Sequence, residues 1–307
     1  PRPMTGAGAT VWGVRLMHAH EVAAADEIEL TDDLLIHAEN AAVLPKLPEA
    51  SFDLIYIDPP FNTGRVQRKR TLSAEHDEEG GERTGFGGRR YRTRLLRDLS
   101  FDDDRREYLD FIAPRLEHAR RLLAVHGTLY LHLDYREAHY CKLALDEIFG
   151  RDCFLNEIIW AYDFGGKPKR RWPAKHDTIL VYVRVPGRHH FDSEAVEREP
   201  YMAPGLVTPE KARRGKMPVD TWWHTIVPTN GREKTGYPTQ KPEGVLRRIV
   251  AASSHPGGWC LDFFAGSGTL GAVCAVQGRR FVLVDHSQSA IAIAARRLAP
   301  AAEAAAG

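Results

Sequence analysis

The run from Phe52 to Gly64, read as Phe-Asp-Leu-Ile-Tyr-Ile-Asp-Pro-Pro-Phe-Asn-Thr-Gly, sets a carboxylate, two prolines and an aromatic ring directly after an apolar segment. Leu54 to Ile57 is aliphatic or aromatic and uncharged, the pattern of a buried strand in a parallel sheet. Pro59 and Pro60 stop that strand. Each fixes φ and lacks an N–H, so the turn is stiff and the carbonyls of Asp58 and Pro59 lose their ladder partners. Such a rim suits a flat heterocycle held by its exocyclic amine: Asp58 and the Pro59 carbonyl accept the two amine hydrogens, and Phe61 stacks on the ring. The plainer reading is a strand stop with an acid at its edge, which the Asp-Pro-Pro-aromatic order disfavours.

A second group of residues suits a nucleotide-like ligand. Trp259 to Thr269 reads as a strand, a glycine turn and a helix start. Gly266 and Gly268 let the backbone approach a ligand, and Asp262 closes the strand where it can meet an ammonium group. Asp285 follows a second short strand, 19 residues after Gly266. An acid at that spacing bonds ribose hydroxyls in dinucleotide folds, although the third glycine of GxGxxG is missing. Gly236 to Pro242 then opens a helix expected over 243–253. Thr239 and Lys241 bring a hydroxyl, a cation and free N–H groups to its N-terminus, which suits a carboxylate.

These stretches, taken together, resemble the amino-methylating DNA methyltransferases. Asp58-Pro59-Pro60-Phe61 with Asn62-Thr63-Gly64 is similar to their target-base motif, which is DPPY or DPPF in enzymes acting on adenine N6 and more often SPPY in those acting on cytosine N4. Tyr237-Pro238-Thr239-Gln240-Lys241-Pro242 and Phe263-Phe264-Ala265-Gly266-Ser267-Gly268-Thr269 resemble two further motifs, with Leu270 where the family often has a second threonine. Glu39-Asn40 stands where the family carries an acid near the cofactor adenine. The resemblance implies S-adenosyl-L-methionine as cofactor, bound by Glu39, Asn40, Asp58, Thr239, Gln240, Lys241, Asp262 to Thr269 and Asp285, with Asp58, Pro59, Pro60 and Phe61 catalytic and no metal in the reaction.

The order of the motifs is informative. The cofactor strands come last in the chain, and the next strand of their sheet is missing after Leu298; a βαβ step over 34–58 supplies it. The expected fold is therefore α/β, a circularly permuted doubly wound Rossmann-like methyltransferase sheet, mostly parallel, with an antiparallel edge pair at 156–162 and 177–184 and an inserted target-recognition lobe. This resembles the β-class arrangement, including modification subunits of type III restriction systems, across residues 34–298.

The remaining organisation follows. Residues 1–30 read as a loose N-terminal arm or edge segment. The first catalytic part spans 31–185 and contains a mobile loop at 65–97, long and rich in Arg, Gly and Glu. Residues 186–237, with six prolines and no usable period, form the target-recognition insertion. The second catalytic part spans 238–298, and 299–307 is an alanine-rich tail. The loop around Lys167, Lys169, Arg170, Arg171 and Lys175 mixes cations with glycines and an indole, as a phosphate-contacting segment would, a solvated turn being the alternative. Arg213 and Arg214 lie in a basic stretch of the insertion and join these as DNA-binding candidates.

Composition adds little. A formal net charge of +1 means that any nucleic-acid surface arises from local clustering. The 32 arginines against 10 lysines lean only weakly toward phosphate recognition. Four cysteines without metal spacing read as reduced, and no membrane span or leader pattern is present, so a cytoplasmic protein is expected. Double-stranded DNA is the expected partner, with a homodimer and a cognate restriction endonuclease as further ones. Open alternatives are cytosine-N4 methylation, an RNA substrate, a non-catalytic DNA-binding specificity subunit, and a small-molecule dehydrogenase.

Overall fold

The computed structural model describes residues 10–11, 13–60, 67–76, 83–84, 90–101 and 108–306. Its strands are β1 (Thr10–Val11), β2 (Val14–His18), β3 (Asp33–His37), β4 (Phe52–Ile57), β5 (Gln67–His76), β6 (Arg83–Thr84), β7 (Arg90–Phe101), β8 (Leu123–Leu133), β9 (Phe154–Ala161), β10 (His176–Val183), β11 (Thr221–Trp223), β12 (Trp259–Asp262) and β13 (Arg280–Asp285). The helices are α1 (Ala19–Ala24), α2 (Asn40–Val43), α3 (Tyr108–Leu122), α4 (Ala138–Phe149), α5 (Pro209–Arg214), α6 (Glu243–Ser253), α7 (Thr269–Gln277) and α8 (Gln288–Ala306).

Ten strands form one sheet in the order β1-β2-β3-β13-β12-β4-β8-β10-β9-β11. From β2 to β8 every neighbour is parallel. β10 then runs antiparallel to both β8 and β9. The expected antiparallel pair is thus present. The permutation also closes as expected, since β13 pairs with β3 through Val282 and Leu34, and β12 pairs with β4 through Cys260 and Leu54.

Strand β4 shows why the sheet is covered on both faces. All six of its residues are buried. Phe52, Ile55 and Ile57 join a core formed with α3 and α4, while Leu54 and Tyr56 join a second core formed with α6, α7 and α8. Ile55 and Ile57 are each fully buried, and each such side chain contributes about 1.5–3 kcal/mol by leaving water.

Three outlying parts of the chain take the following form. Within residues 1–30 the expected arm contains β2, which extends the sheet parallel to β3, so the edge-segment alternative holds for that stretch. The 65–97 stretch, expected as a mobile loop, contributes β5, β6 and part of β7, which form a separate three-stranded antiparallel sheet. In the β7 segment Tyr91, Thr93 and Leu95 alternate with arginines, a short period of two in the sequence that the charge content of the stretch obscures. The tail continues α8 through Ala306. The insertion stays tied to the sheet, because β11 pairs in parallel with β9 and Trp160 Nε1 donates to the His224 carbonyl at 2.7 Å.

Candidate active site

Three neighbouring parallel strands end in aspartates at one edge of the sheet: Asp58 follows β4, and Asp262 and Asp285 close β12 and β13. Asp262 is buried, and its Oδ1 accepts the Phe264 N–H at 2.9 Å. Burial holds its carboxyl well above the usual carboxylate range; the Phe264 N–H opposes the shift, and the charges of Asp58 and Asp285 add to it. Asp285 is raised as well, again chiefly by burial, against N–H bonds from Ser287 and Gly266 at 2.8 Å each. Acids crowded in this way favour a ligand that brings positive charge and hydroxyl donors.

The glycine turn lies against these acids. Gly266 adopts φ +51°, and a Cβ there would stand 3.0 Å from the Tyr237 ring. Gly268 adopts φ +72°, and a Cβ there would meet Ala294 of α8 at 2.9 Å. Only glycine fits both the left-handed backbone and the close approach. Burial, with the charges of Asp285, Asp58 and Asp262, pushes the Tyr237 hydroxyl pKa upward. Sequence reasoning placed Tyr237 within its motif without giving it a role.

Several predicted residues prove to hold the site in shape. Lys241 Nζ donates to Asp58 Oδ2, joining two motifs 183 positions apart, where the sequence reading had Lys241 on a ligand carboxylate. Asp58 Oδ1 is buried and has no hydrogen-bond partner among the described residues. Thr239 is exposed. Gln240 accepts from the Thr235 N–H and hydroxyl, both at 2.8 Å, and donates to the Glu233 carbonyl at 2.6 Å. Glu233 itself takes the Glu243 N–H at the start of α6, at 2.8 Å. Asn40 donates to the Phe263 carbonyl at 2.9 Å and accepts from Arg115 Nε at 2.7 Å, which leaves its side chain bracing the turn.

Phe263 packs in the core, and Phe264 lies beside Phe111 with ring centroids 5.9 Å apart. Ala265 is buried, and its N–H reaches the Val284 carbonyl at 3.0 Å. Ser267 and Thr269 are buried and accept from Arg297, at 3.3 and 2.9 Å. Glu39 is exposed at the carboxyl end of β3, beside β13. Pro59 is buried and Pro60 half-buried at the rim. Phe61 lies outside the described residues.

A family model described as DNA methylase (N6/N4 type) matches residues 52–296. The chain belongs to the DNA methylase family. It is 28% identical over 272 residues to the DNA adenine methyltransferase YhdJ of Escherichia coli K12, covering 86% of this chain and 82% of that one. It is 29% identical over 270 residues to the type II methyltransferase M.HpaI of Haemophilus parainfluenzae, covering 87% and 74%. Among solved structures, the PvuII DNA methyltransferase (cytosine-N4-specific) shares the fold at TM-score 0.59 and 14% identity, over 85% of this chain and 84% of that one. A Thermus thermophilus protein described as a DNA modification methylase, complexed with S-adenosyl-L-methionine, does so at TM-score 0.53 and 19% identity, over 94% and 95%.

In this DNA methylase a cleft of 640 Å³ opens between the carboxyl end of β8, the start of β10 and the basic loop; Asp134, Tyr162, Lys167, Arg171 and Asp177 are among its lining residues. Lys167, Lys169, Arg170 and Arg171 are exposed, as is Trp172 at 94%. Lys175 turns inward and donates to the Phe164 and Gly165 carbonyls, at 2.7 and 3.0 Å, so it closes the loop. Arg213 is exposed, whereas Arg214 pairs with Glu194 at 2.8 Å. A buried chain of hydrogen bonds floors the cleft: the Tyr56 hydroxyl meets His132 Nδ1 at 2.8 Å, His132 Nε2 meets Asp177 at 3.1 Å, and the Tyr162 hydroxyl donates to Asp177 at 3.0 Å. Burial alone would raise the Asp177 pKa, and these partners bring it below the usual range. No helix of the described residues is long and apolar enough to cross a membrane.

Proposed function

We propose that this DNA methylase transfers a methyl group from S-adenosyl-L-methionine to adenine N6 in duplex DNA, with the target base flipped out of the stack. One observation carries the reading: Asp58, with one oxygen fixed by Lys241 and the other unpartnered among the described residues, stands one strand away from Asp262 and the glycine turn. Target amine and methyl donor can therefore meet at the ends of β4 and β12. Asp58 Oδ1 and the Pro59 carbonyl would accept the two N6 hydrogens and turn the nitrogen lone pair toward the methyl sulfonium; in-line transfer would form the N6–methyl bond as the sulfonium C–S bond breaks, with S-adenosylhomocysteine leaving and the surplus amine proton passing to Asp58. Unstacking the base costs a few kcal/mol, offset by phosphate contacts from the basic loop. The aspartate at position 58 and the adenine specificity named for the Escherichia coli relative support N6 as the acceptor.

The deciding experiment incubates the protein with labelled S-adenosyl-L-methionine and mixed-sequence duplex DNA, then identifies the labelled nucleoside by mass. N6-methyladenine is expected. N4-methylcytosine would overturn the choice of base and keep the site.

Two further outcomes follow. Asp262→Asn removes the anion that pairs with the cofactor ammonium and should weaken cofactor binding roughly 10- to 100-fold, the range for a hydrogen bond to a charged group; calorimetry that finds an unchanged dissociation constant removes Asp262 from the cofactor site. Because the Asp262 carboxyl is raised and only its ionised form pairs with an ammonium, affinity should climb with pH in the wild type and lose that dependence in the variant. Replacing Lys167, Lys169, Arg170 and Arg171 together by alanine should flatten the plot of log affinity for DNA against log salt by about 3 to 4 units, roughly 0.9 for each phosphate no longer neutralised. An unchanged slope would move the DNA track elsewhere.

A further inference from the structure

The sheet edge opposite the active site carries a second cluster of polar residues. β4 and β8 pair in parallel, yet Phe52 faces Leu123 and Leu54 faces Thr128, so residues 124–127 leave the register. Such irregularities re-aim side chains. Here His126 is turned back over β4, with its Nε2 2.9 Å from Asp53 Oδ1. Gly127 permits the approach, since a Cβ there would stand 2.6 Å from the Phe52 carbonyl oxygen. The other Asp53 oxygen lies 2.8 Å from Nδ1 of His255, in the turn after α6. Gly258 clears room for that carboxylate, because a Cβ at this position would stand 2.3 Å from Asp53 Oδ2. One ligand atom from each of Asp53, His126 and His255 lies within 4.8 Å of the other two.

We propose that Asp53, His126 and His255 form a binding site for a divalent transition-metal ion of the Zn²⁺ class, separate from the site of methyl transfer. Two imidazole nitrogens and one carboxylate match the ligand preference of such ions, with water completing the coordination. Ligand atoms around a tetrahedral Zn²⁺ stand about 3.3 Å apart, so each Asp–His pair need open by only about half an ångström as the ion replaces the shared proton. The imidazoles are 40% and 48% exposed, which gives an ion access, while the Asp53 side chain is only 10% exposed and fixed. Asp53 precedes Asp58 by five residues on one strand, which sets the two sites roughly 16 Å apart.

The ion would join the start of β4, the irregular part of β8 and the turn before β12. His190 extends this to the entry of the insertion, since its ring lies 3.8 Å from that of His255 and its N–H donates to the His126 carbonyl at 3.0 Å. The ion thus acts as a clamp between the catalytic sheet and the insertion.

The test uses the full chain stripped by chelator, with Zn²⁺ followed by calorimetry and Co²⁺ by visible absorption. One ion per chain is expected, with Co²⁺ bands that signal imidazole coordination and a Tm that rises with Zn²⁺ concentration. His126→Gln and His255→Gln should each weaken binding at least the roughly 100-fold seen when a supporting partner of a ligand is lost. His18→Ala with His20→Ala, at the stacked rings where β2 ends and α1 begins, should leave it unchanged. A wild type without a stoichiometric Co²⁺ spectrum overturns the proposal, and it does so whether or not the variants fold. Unchanged affinity in both glutamine variants overturns it too, by placing the ion on other histidines.

Discussion

Asp58→Ala is expected to lower kcat for methyl transfer by at least about 10³-fold while leaving the dissociation constant of S-adenosyl-L-methionine within about threefold. The size of the effect follows from what the carboxylate supplies at once. It accepts a proton-bearing amine at a fixed distance, keeps electron density on the nitrogen, and aims the lone pair; a single positioned acceptor of this kind accounts for about 10²–10⁴-fold in other sites. The variant also leaves Lys241 without its Asp58 oxygen, in a part of the protein where that side chain is only 11% exposed. Asp58→Asn therefore serves as the companion variant: it keeps the shape, loses the charge and presents a donor where an acceptor is needed. Both variants should bind cofactor and DNA and fail in single turnover. Near wild-type single-turnover rates in the asparagine variant would remove Asp58 from the chemistry and leave it a structural role beside Lys241.

The motifs announced this site because each is local. Strand, proline stop and acid lie within the few residues of Phe52 to Pro60, and the glycine turn needs only its own φ values and the nearby Tyr237 ring. The order of the motifs also carried the topology, since the cofactor strands come late and the βαβ step that continues their sheet comes early, from Asp33 to His37 onward, and β13 does pair there. What the sequence concealed are contacts between distant positions. Nothing in the spacing shows that Lys241 reaches Asp58, that Asn40 braces the carbonyl of Phe263, or that Gln240 closes its own loop on Glu233. These residues have the right types for ligand binding, and the fold gives them other partners first.

The same limit explains the misread segments. β2 is short and only partly buried, one strand in from the sheet edge, where the apolar signal is weak and leaves an arm and an edge segment equally open. The strands at 67–76 and 90–101 hold many arginines, and high charge with little apolar content reads in a sequence as a loop, although a strand need not be apolar throughout. His126, His255 and Asp53 meet only because β8 slips its register, an event with no mark in the sequence beyond Gly127.

Arg297 is the clearest case of a residue invisible in the sequence. It lies on α8, outside every motif, yet its side chain is only 7% exposed and reaches three segments. Nη1 donates to Thr269 Oγ1 at 2.9 Å and to Ser267 Oγ at 3.3 Å, and Nη2 donates to Glu243 Oε1 at 2.8 Å. Thr269 in turn donates to the Lys241 carbonyl at 3.2 Å, so the guanidinium connects the glycine turn to the lysine that holds Asp58. Arg297→Ala should destabilise the protein by about 2–3 kcal/mol, because the buried Ser267 and Thr269 hydroxyls lose their charged donor, while Glu243, 30% exposed, keeps Arg247. For a chain of this size that corresponds to a fall in Tm of roughly 3–5 °C. Cofactor affinity should drop about tenfold or more in the same variant, since the turn loses its anchor. Arg297→Lys should recover only part of either loss: a point charge can reach Glu243 or the hydroxyls, while the planar fork reaches both. If Tm falls in the alanine variant and cofactor affinity does not, Arg297 stabilises α8 against α6 without shaping the turn, and fold and cofactor loop are not coupled through it.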